Sequence, residues 1–261
     1  MAGNRIIVIM LIIGLIWPAA TGLAMEPAPK IRAGIPPYSV LGRIMAANLE
    51  VMAGVAKSAP GQKISESLQL VWLADPDPRL NSIQVWDGQA GGIYTVRNLA
   101  NQLEPAAGAI DYAVRHLYAP VLLITGNTDS AAIQLFAEGY DHLGEAIRRE
   151  LSPLHPALSH LPRSGREGNG DEELATTRLR AVEANVDYQV ARALERYGDR
   201  VQSGRLVVVG AIIDLANQYQ AGPGRLHLIN LNGETEAEKI KASSHLIRLN
   251  REMRDYVGRK F

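Results

Sequence analysis

The 261-residue sequence contains no cysteine. Disulfides, thiolate nucleophiles and thiolate–zinc sites are therefore excluded together. Net charge is also lacking: the formal value is zero, and no basic stripe stands out. That leaves no long-range attraction for nucleic acid, and no nucleic-acid partner is expected. The apolar stretch near the N-terminus, Ile6 to Trp17, is interrupted only by Gly14. It falls short of the ~20 residues of a comfortable membrane span. No internal repeat is found. What the chain does have is 47% apolar residues. With this length, that is ample for a buried core and unlike a disordered chain.

The N-terminus reads as an export signal. Arg5 supplies the positive region, Ile6 to Trp17 the apolar region, and Ala19, Ala20 and Thr21 to Ala24 the small residues for cleavage. Residues 1–24 are expected to be a signal peptide and 25–37 a proline-rich linker. The folded part is then expected in the periplasm or secreted. An uncleaved signal would instead anchor it at the membrane. No cysteine follows the signal, which excludes a lipid-anchored lipoprotein.

Apolar spacing predicts a helix over Tyr38 to Lys57. Leu68 to Leu73 reads as a buried strand running into the turn Asp75-Pro76-Asp77-Pro78. Ile93 to Val96 and Pro120 to Thr125 are further strands, with a helix over Ala106 to Tyr118 between them. Helices are predicted at Ser130 to Phe136 and His142 to Leu151. Pro156 to Asp171 reads as a surface loop and Glu172 to Tyr197 as a long helix. Leu206 to Ile213 is the strongest strand. A turn at Gln220 to Gly224 leads into the strand Leu226 to Leu231. Glu234 to Phe261 reads as one polar terminal helix, amphipathic and packed on its own domain or offered to a partner subunit or membrane. Strands alternating with helices imply an α/β fold with a mostly parallel sheet. Ligands in such sheets sit beyond the carboxyl ends of strands. If the first and third strands are neighbours, the turns at Asp75 and Asn127 face one crevice.

Six segments resemble the β-class carbonic anhydrases, in order, over residues 38–232. Asp75-Pro76-Asp77-Pro78-Arg79 resembles that family's Cys-x-Asp-x-Arg turn, and Tyr94 to Asn101 its V-R-N-x-A-N segment. Gly108 to Val114 resembles the S-I-E-Y-A-V helix, and Gly126 to Ala132 falls where the family has G-H-x-x-C-G-A. Asn185 to Val190 and Gly204 to Gly210 are similar to two more segments. The resemblance implies a sheet of four parallel strands plus a fifth, flanked by helices, over one domain of residues 38–261. It also implies an N-terminal helical arm (38–57) lying on a partner subunit, hence a homodimer or higher homo-oligomer.

It implies a zinc enzyme too, but the three ligand positions match Asp75, Asn127 and Ser130. A carboxylate can bind zinc; a neutral amide and a hydroxyl are weak partners. None of the six histidines lies at a ligand position. Without zinc, no bound water would be brought to a pKa near 7. The expectation is therefore no zinc cofactor, and a non-catalytic relative with a binding or assembly role. Two alternatives stand beside it. One is a carbonic anhydrase, or another small-anion enzyme, with an oxygen-ligated metal at the same place. Asp75, Asp77, Asp129, Asn127 and Ser130 offer oxygens to such a hard cation. In the other alternative no metal takes part, and Asp75 or Asp77 serves as acid or base. The family dyad persists as Asp77 and Arg79. It reads either as a lock on the turn or as leaving Arg79, with Asn127, to hold a small anion.

Overall fold

Three runs, LVWLA, VLLITGN and VVVGAIID, are buried along their whole length. Continuous burial without alternation is the mark of strands covered on both faces, as in parallel sheets. The computed structural model, which describes residues 36–53, 68–81, 85, 92–161, 171–247 and 249–260, bears this out. The strands are β1 (Leu70–Ala74), β2 (Ile93–Arg97), β3 (Val121–Asn127), β4 (Val207–Asp214) and β5 (Arg225–Leu231). Their order is β2-β1-β3-β4-β5. The first four are parallel, and β5 runs antiparallel to β4. This is the expected α/β sheet of four parallel strands plus a fifth.

The helices are α1 (Pro37–Met52), α2 (Ala107–Asp111), α3 (Ala131–Glu138), α4 (Glu145–Leu151), α5 (His155–Leu158), α6 (Asp171–Gln202), α7 (Ala237–Ala242) and α8 (Arg251–Arg254). One core layer lies between the sheet and α6, through Val182, Val186, Val190 and Ala193. The other lies between the sheet and α1, through Val40, Leu41, Ile44 and Met45. Asn48 fastens α1 by donating to the carbonyl of Gly224 at 3.0 Å and accepting from the amide of Leu226 at 2.9 Å. Within this chain one face of the helical arm thus lies on its own sheet.

Two other elements differ from the sequence reading. The helix expected over Ala106 to Tyr118 is α2 followed by a π turn, Tyr112–His116, and Tyr118 is left-handed at φ 57°. The terminal segment is not one helix. It breaks into α7, a 3₁₀ turn (Ser244–Leu246) and α8. The cause is local: Ser243 is extended and caps the amide of His245, and Asn250 caps that of Met253. Ser and Asn side chains compete with a continuing helix in this way. The segment packs on its own domain through Ile240, Leu246, Leu249 and Val257. The expected signal peptide (1–24) and all of the expected linker except Pro36 and Pro37 lie outside the described residues.

Two glycines let α6 approach the sheet. A Cβ on Gly126 would stand 2.5 Å from a methyl of Val182. One on Gly210 would stand 2.8 Å from Val186 and 3.0 Å from both Asn230 and Val190. Gly210→Ala is expected to destabilise the fold by about 1–3 kcal/mol through overpacking, read as a lowered urea midpoint with an unchanged m-value.

Candidate functional site

Because β1 and β3 are adjacent and parallel, with Ala74 opposite Thr125, their carboxyl ends deliver Asp75 and Asn127 side by side. Strand β3 runs two residues further than the sequence suggested, so Asn127 ends a strand rather than entering a turn. Three residues on, Ser130 caps α3, its hydroxyl accepting from the amide of Ile133 at 3.4 Å. The structure therefore brings Asp75, Asn127 and Ser130 together, and all three are buried.

They are bonded to one another. The Ser130 hydroxyl donates a short hydrogen bond to Oδ2 of Asp75. The Asn127 amide donates to the same oxygen at 3.3 Å. The backbone amide of Ala100 donates to Oδ1 at 3.4 Å. Asn127 completes its own bonding by accepting from the amide of Asp129 at 3.0 Å. Burial pushes the Asp75 carboxyl above its ordinary range; the bonds from Ser130 and Ala100 oppose this, and the neighbouring charge of Asp77 adds to it.

Ala100 was not legible as a site residue, because it contributes only backbone. It sits in a tight turn, with φ 58° at Ala100 and 45° at Asn101. Helix α6 holds that turn from behind. Asn185 donates to the Ala100 carbonyl at 2.8 Å, Gln189 donates to Asn185 at 3.0 Å, and Gln189 accepts from the amide of Leu103 at 2.9 Å. Two of the segments read as isolated matches, at Tyr94 to Asn101 and at Asn185 to Val190, are thus one structural unit.

Asp77 and Arg79 form a second group at the rim. The Arg79 guanidinium donates to both carboxylate oxygens of Asp77, at 2.9 and 2.6 Å, and its backbone amide donates to Oδ1 at 2.8 Å. Its remaining Nη1 donates to Asp129 at 2.7 Å. These bonds hold the Asp77 carboxyl below its usual range. The Arg79 side chain is 51% exposed, so the pair stabilises the fold by no more than about 1 kcal/mol. Asp129 as the second partner of Arg79 gave no sequence signal, since 50 residues separate them.

On the far side of Asn127, Thr128 ties β3 to β4. Its amide donates to the Ile213 carbonyl at 3.2 Å, and its hydroxyl donates to buried Asp214 at 3.0 Å. The histidines are dispersed. His155 is bonded to the Tyr140 hydroxyl at 2.8 Å, His116 stacks on Tyr112, and His227 stacks on Tyr219. Burial pushes His227 down to about 4. Among the described residues, no three His, Asp or Glu side chains converge as a metal-binding group.

The raised Asp75 carboxyl has a consequence for stability. A folded pKa above the unfolded value, about 3.9, means that the folded state binds the proton more tightly. That stabilisation is full below the unfolded value and is lost as pH rises through the folded one. Asp75→Asn removes the titration. In urea unfolding between pH 3.5 and 7, the variant should gain stability relative to wild type as pH rises. A difference that stays constant over this range would show that Asp75 does not titrate across it.

The matches to known proteins agree with this geometry. A family profile described as carbonic anhydrase matches residues 70–220, more than half of the chain. Among solved structures, the β-carbonic anhydrase CafA of Aspergillus fumigatus is similar at 25% identity and TM-score 0.50, over 76% of this chain and 93% of that one. A Coccomyxa β-carbonic anhydrase in complex with acetazolamide is 18% identical at TM-score 0.52, over 81% and 92%. One of two tetrameric β-carbonic anhydrases of Sordaria macrospora is 19% identical at TM-score 0.53, over 70% and 85%. No curated protein sequence matched significantly. By its profile match and by the overall fold it shares with those structures, the chain belongs to the β-carbonic anhydrase family.

Proposed function

We propose that this family member is not a zinc-dependent carbonate dehydratase and works instead as an exported, homo-oligomeric binding or assembly protein. One observation carries the reading: the carboxylate, amide and hydroxyl at the positions matched to zinc ligands are hydrogen-bonded to one another. Zinc sites are built from thiolate, imidazole and carboxylate. Here a single carboxylate is present, and the other two side chains spend their donors on it. An incoming cation would have to break those bonds and would gain one carboxylate and two neutral oxygens in return.

The same geometry weighs against a hard cation or an anion at this place. Calcium takes 6–8 oxygen ligands, but Asp77 and Asp129 both turn to Arg79. A small anion at Arg79 would meet a guanidinium whose charge two carboxylates already neutralise. Asp77 and Arg79 are therefore assigned to fixing the turn after β1.

Assembly is supported by surface features and by kinship. Among the described residues β2 pairs only with β1, so it is a sheet edge. Tyr112, 51% exposed, lies beside its Tyr94 with ring centroids 6.4 Å apart. The Sordaria macrospora relative is described as tetrameric. Export rests on the N-terminal apolar segment alone.

Metal analysis and carbon dioxide hydration assays on purified protein test the central point. Zinc well below one equivalent, with hydration no faster than the uncatalysed rate, is expected. Stoichiometric zinc with rapid hydration would overturn the reading. The triple variant Asp75→Cys, Asn127→His, Ser130→Cys restores the family's donor types and should take up zinc where wild type does not. Sedimentation at micromolar concentration should show a dimer or larger species; a monomer would remove the assembly role.

A further inference from the structure

At the opposite end of the sheet, where β3 and β4 begin, lies a second charged cluster. It is built around the last turn of α6. Arg200 is only 7% exposed, and its Nε is buried with no hydrogen-bond partner. Its guanidinium lies 5.4 Å from the centroid of the Tyr118 ring. The Arg200 carbonyl accepts from the amides of Arg205 at 2.9 Å and Leu206 at 3.2 Å, which folds Arg205 back beside it. Arg205 Nε donates to the Ser203 hydroxyl at 2.8 Å. From the π turn, Arg115 reaches the same place, donating to the Arg196 carbonyl at 2.9 Å and standing 3.5 Å from Asp199.

The charges do not balance. Of Arg115, Arg200 and Arg205, only Arg115 has a carboxylate within ion-pair distance among the described residues: Asp199, which is 60% exposed, while Asp111, which also feels Arg115, is paired with Arg196. A helix C-terminus offers about half a negative charge, and here the Arg200 carbonyl is already engaged by two amides and by the Ser203 hydroxyl at 3.1 Å. Burial and the proximity of Arg205 and Arg115 push the Arg200 guanidinium below its ordinary value; Asp199 and Tyr118 oppose this. A buried, unpaired cation is costly, and the cost is repaid only by a counter-charge with hydrogen-bond acceptors. Two backbone irregularities hold the arrangement. The π turn aims Arg115, and left-handed Tyr118 covers Arg200. Such departures concentrate at functional sites.

We infer that Arg115, Arg200 and Arg205, roofed by Tyr118, form a binding site for a small oxyanion such as phosphate or a carboxylate. Guanidinium groups suit ligands that present two oxygens in a plane. The site is separate from the Asp75 group, at the other end of the strands, and does not depend on the function proposed for it.

Thermal unfolding and calorimetry of the full chain test the inference. Inorganic phosphate, acetate and chloride are compared at matched ionic strength. Phosphate or acetate should raise Tm, as a ligand of the folded state does, and chloride should not. The two arms tell a tetrahedral from a planar ligand. Arg205→Ala, a change at an exposed side chain, should weaken phosphate binding at least fivefold. Arg200→Met should abolish the response without lowering Tm in phosphate-free buffer. Arg79→Ala should leave the response intact. Equal protection by chloride, an unchanged response in Arg205→Ala, or loss of the response in Arg79→Ala would overturn the site.

Discussion

The buried carboxylate of Asp75 gathers three parts of the chain at one point. Asn127 reaches it from the end of β3, Ser130 from the start of α3, and Ala100 from the turn after β2. An unpaired buried carboxylate would cost several kcal/mol. The arrangement therefore persists only because every donor is held in place by something else. Asn127 belongs to a strand buried at all seven positions. Ser130 is fixed as a helix cap. Ala100 is backed by Asn185 and Gln189 of α6. The position of α6 in turn depends on the bare backbone at Gly126 and Gly210. Core packing and the polar cluster are thus one construction.

Much of this fold was legible from residue patterns. LVWLA, VLLITGN and VVVGAIID carry no alternation, so strands buried on both faces could be read directly. The meeting of Asp75 and Asn127 followed from strand adjacency. Their bonding to each other did not, because side-chain hydrogen bonds across 52 residues leave no local trace. The terminal segment was misread as one helix since its apolar spacing outweighed Ser243 and Asn250, two residues that cap rather than continue. The charge imbalance around Arg200 was equally hidden. It arises from residues on two elements that the fold joins, and from a π turn that periodicity does not reveal.

The two ends of the sheet differ in chemistry. At the carboxyl ends, acids outnumber bases, and Asp75 finds partners in its three donors and Arg79 in two carboxylates. At the amino ends, bases outnumber acids, and one guanidinium nitrogen has none. By composition the chain is neutral, so this polarity comes from placement alone.

The clasp of Asn185 and Gln189 on the 99–103 turn carries one more implication. The Ala100 amide points at Asp75 while its carbonyl is gripped by the middle of a 32-residue helix. That amide can meet solvent only if the helix lifts from the sheet. Isotope exchange there is governed by the global opening of the domain rather than by breathing of a surface turn.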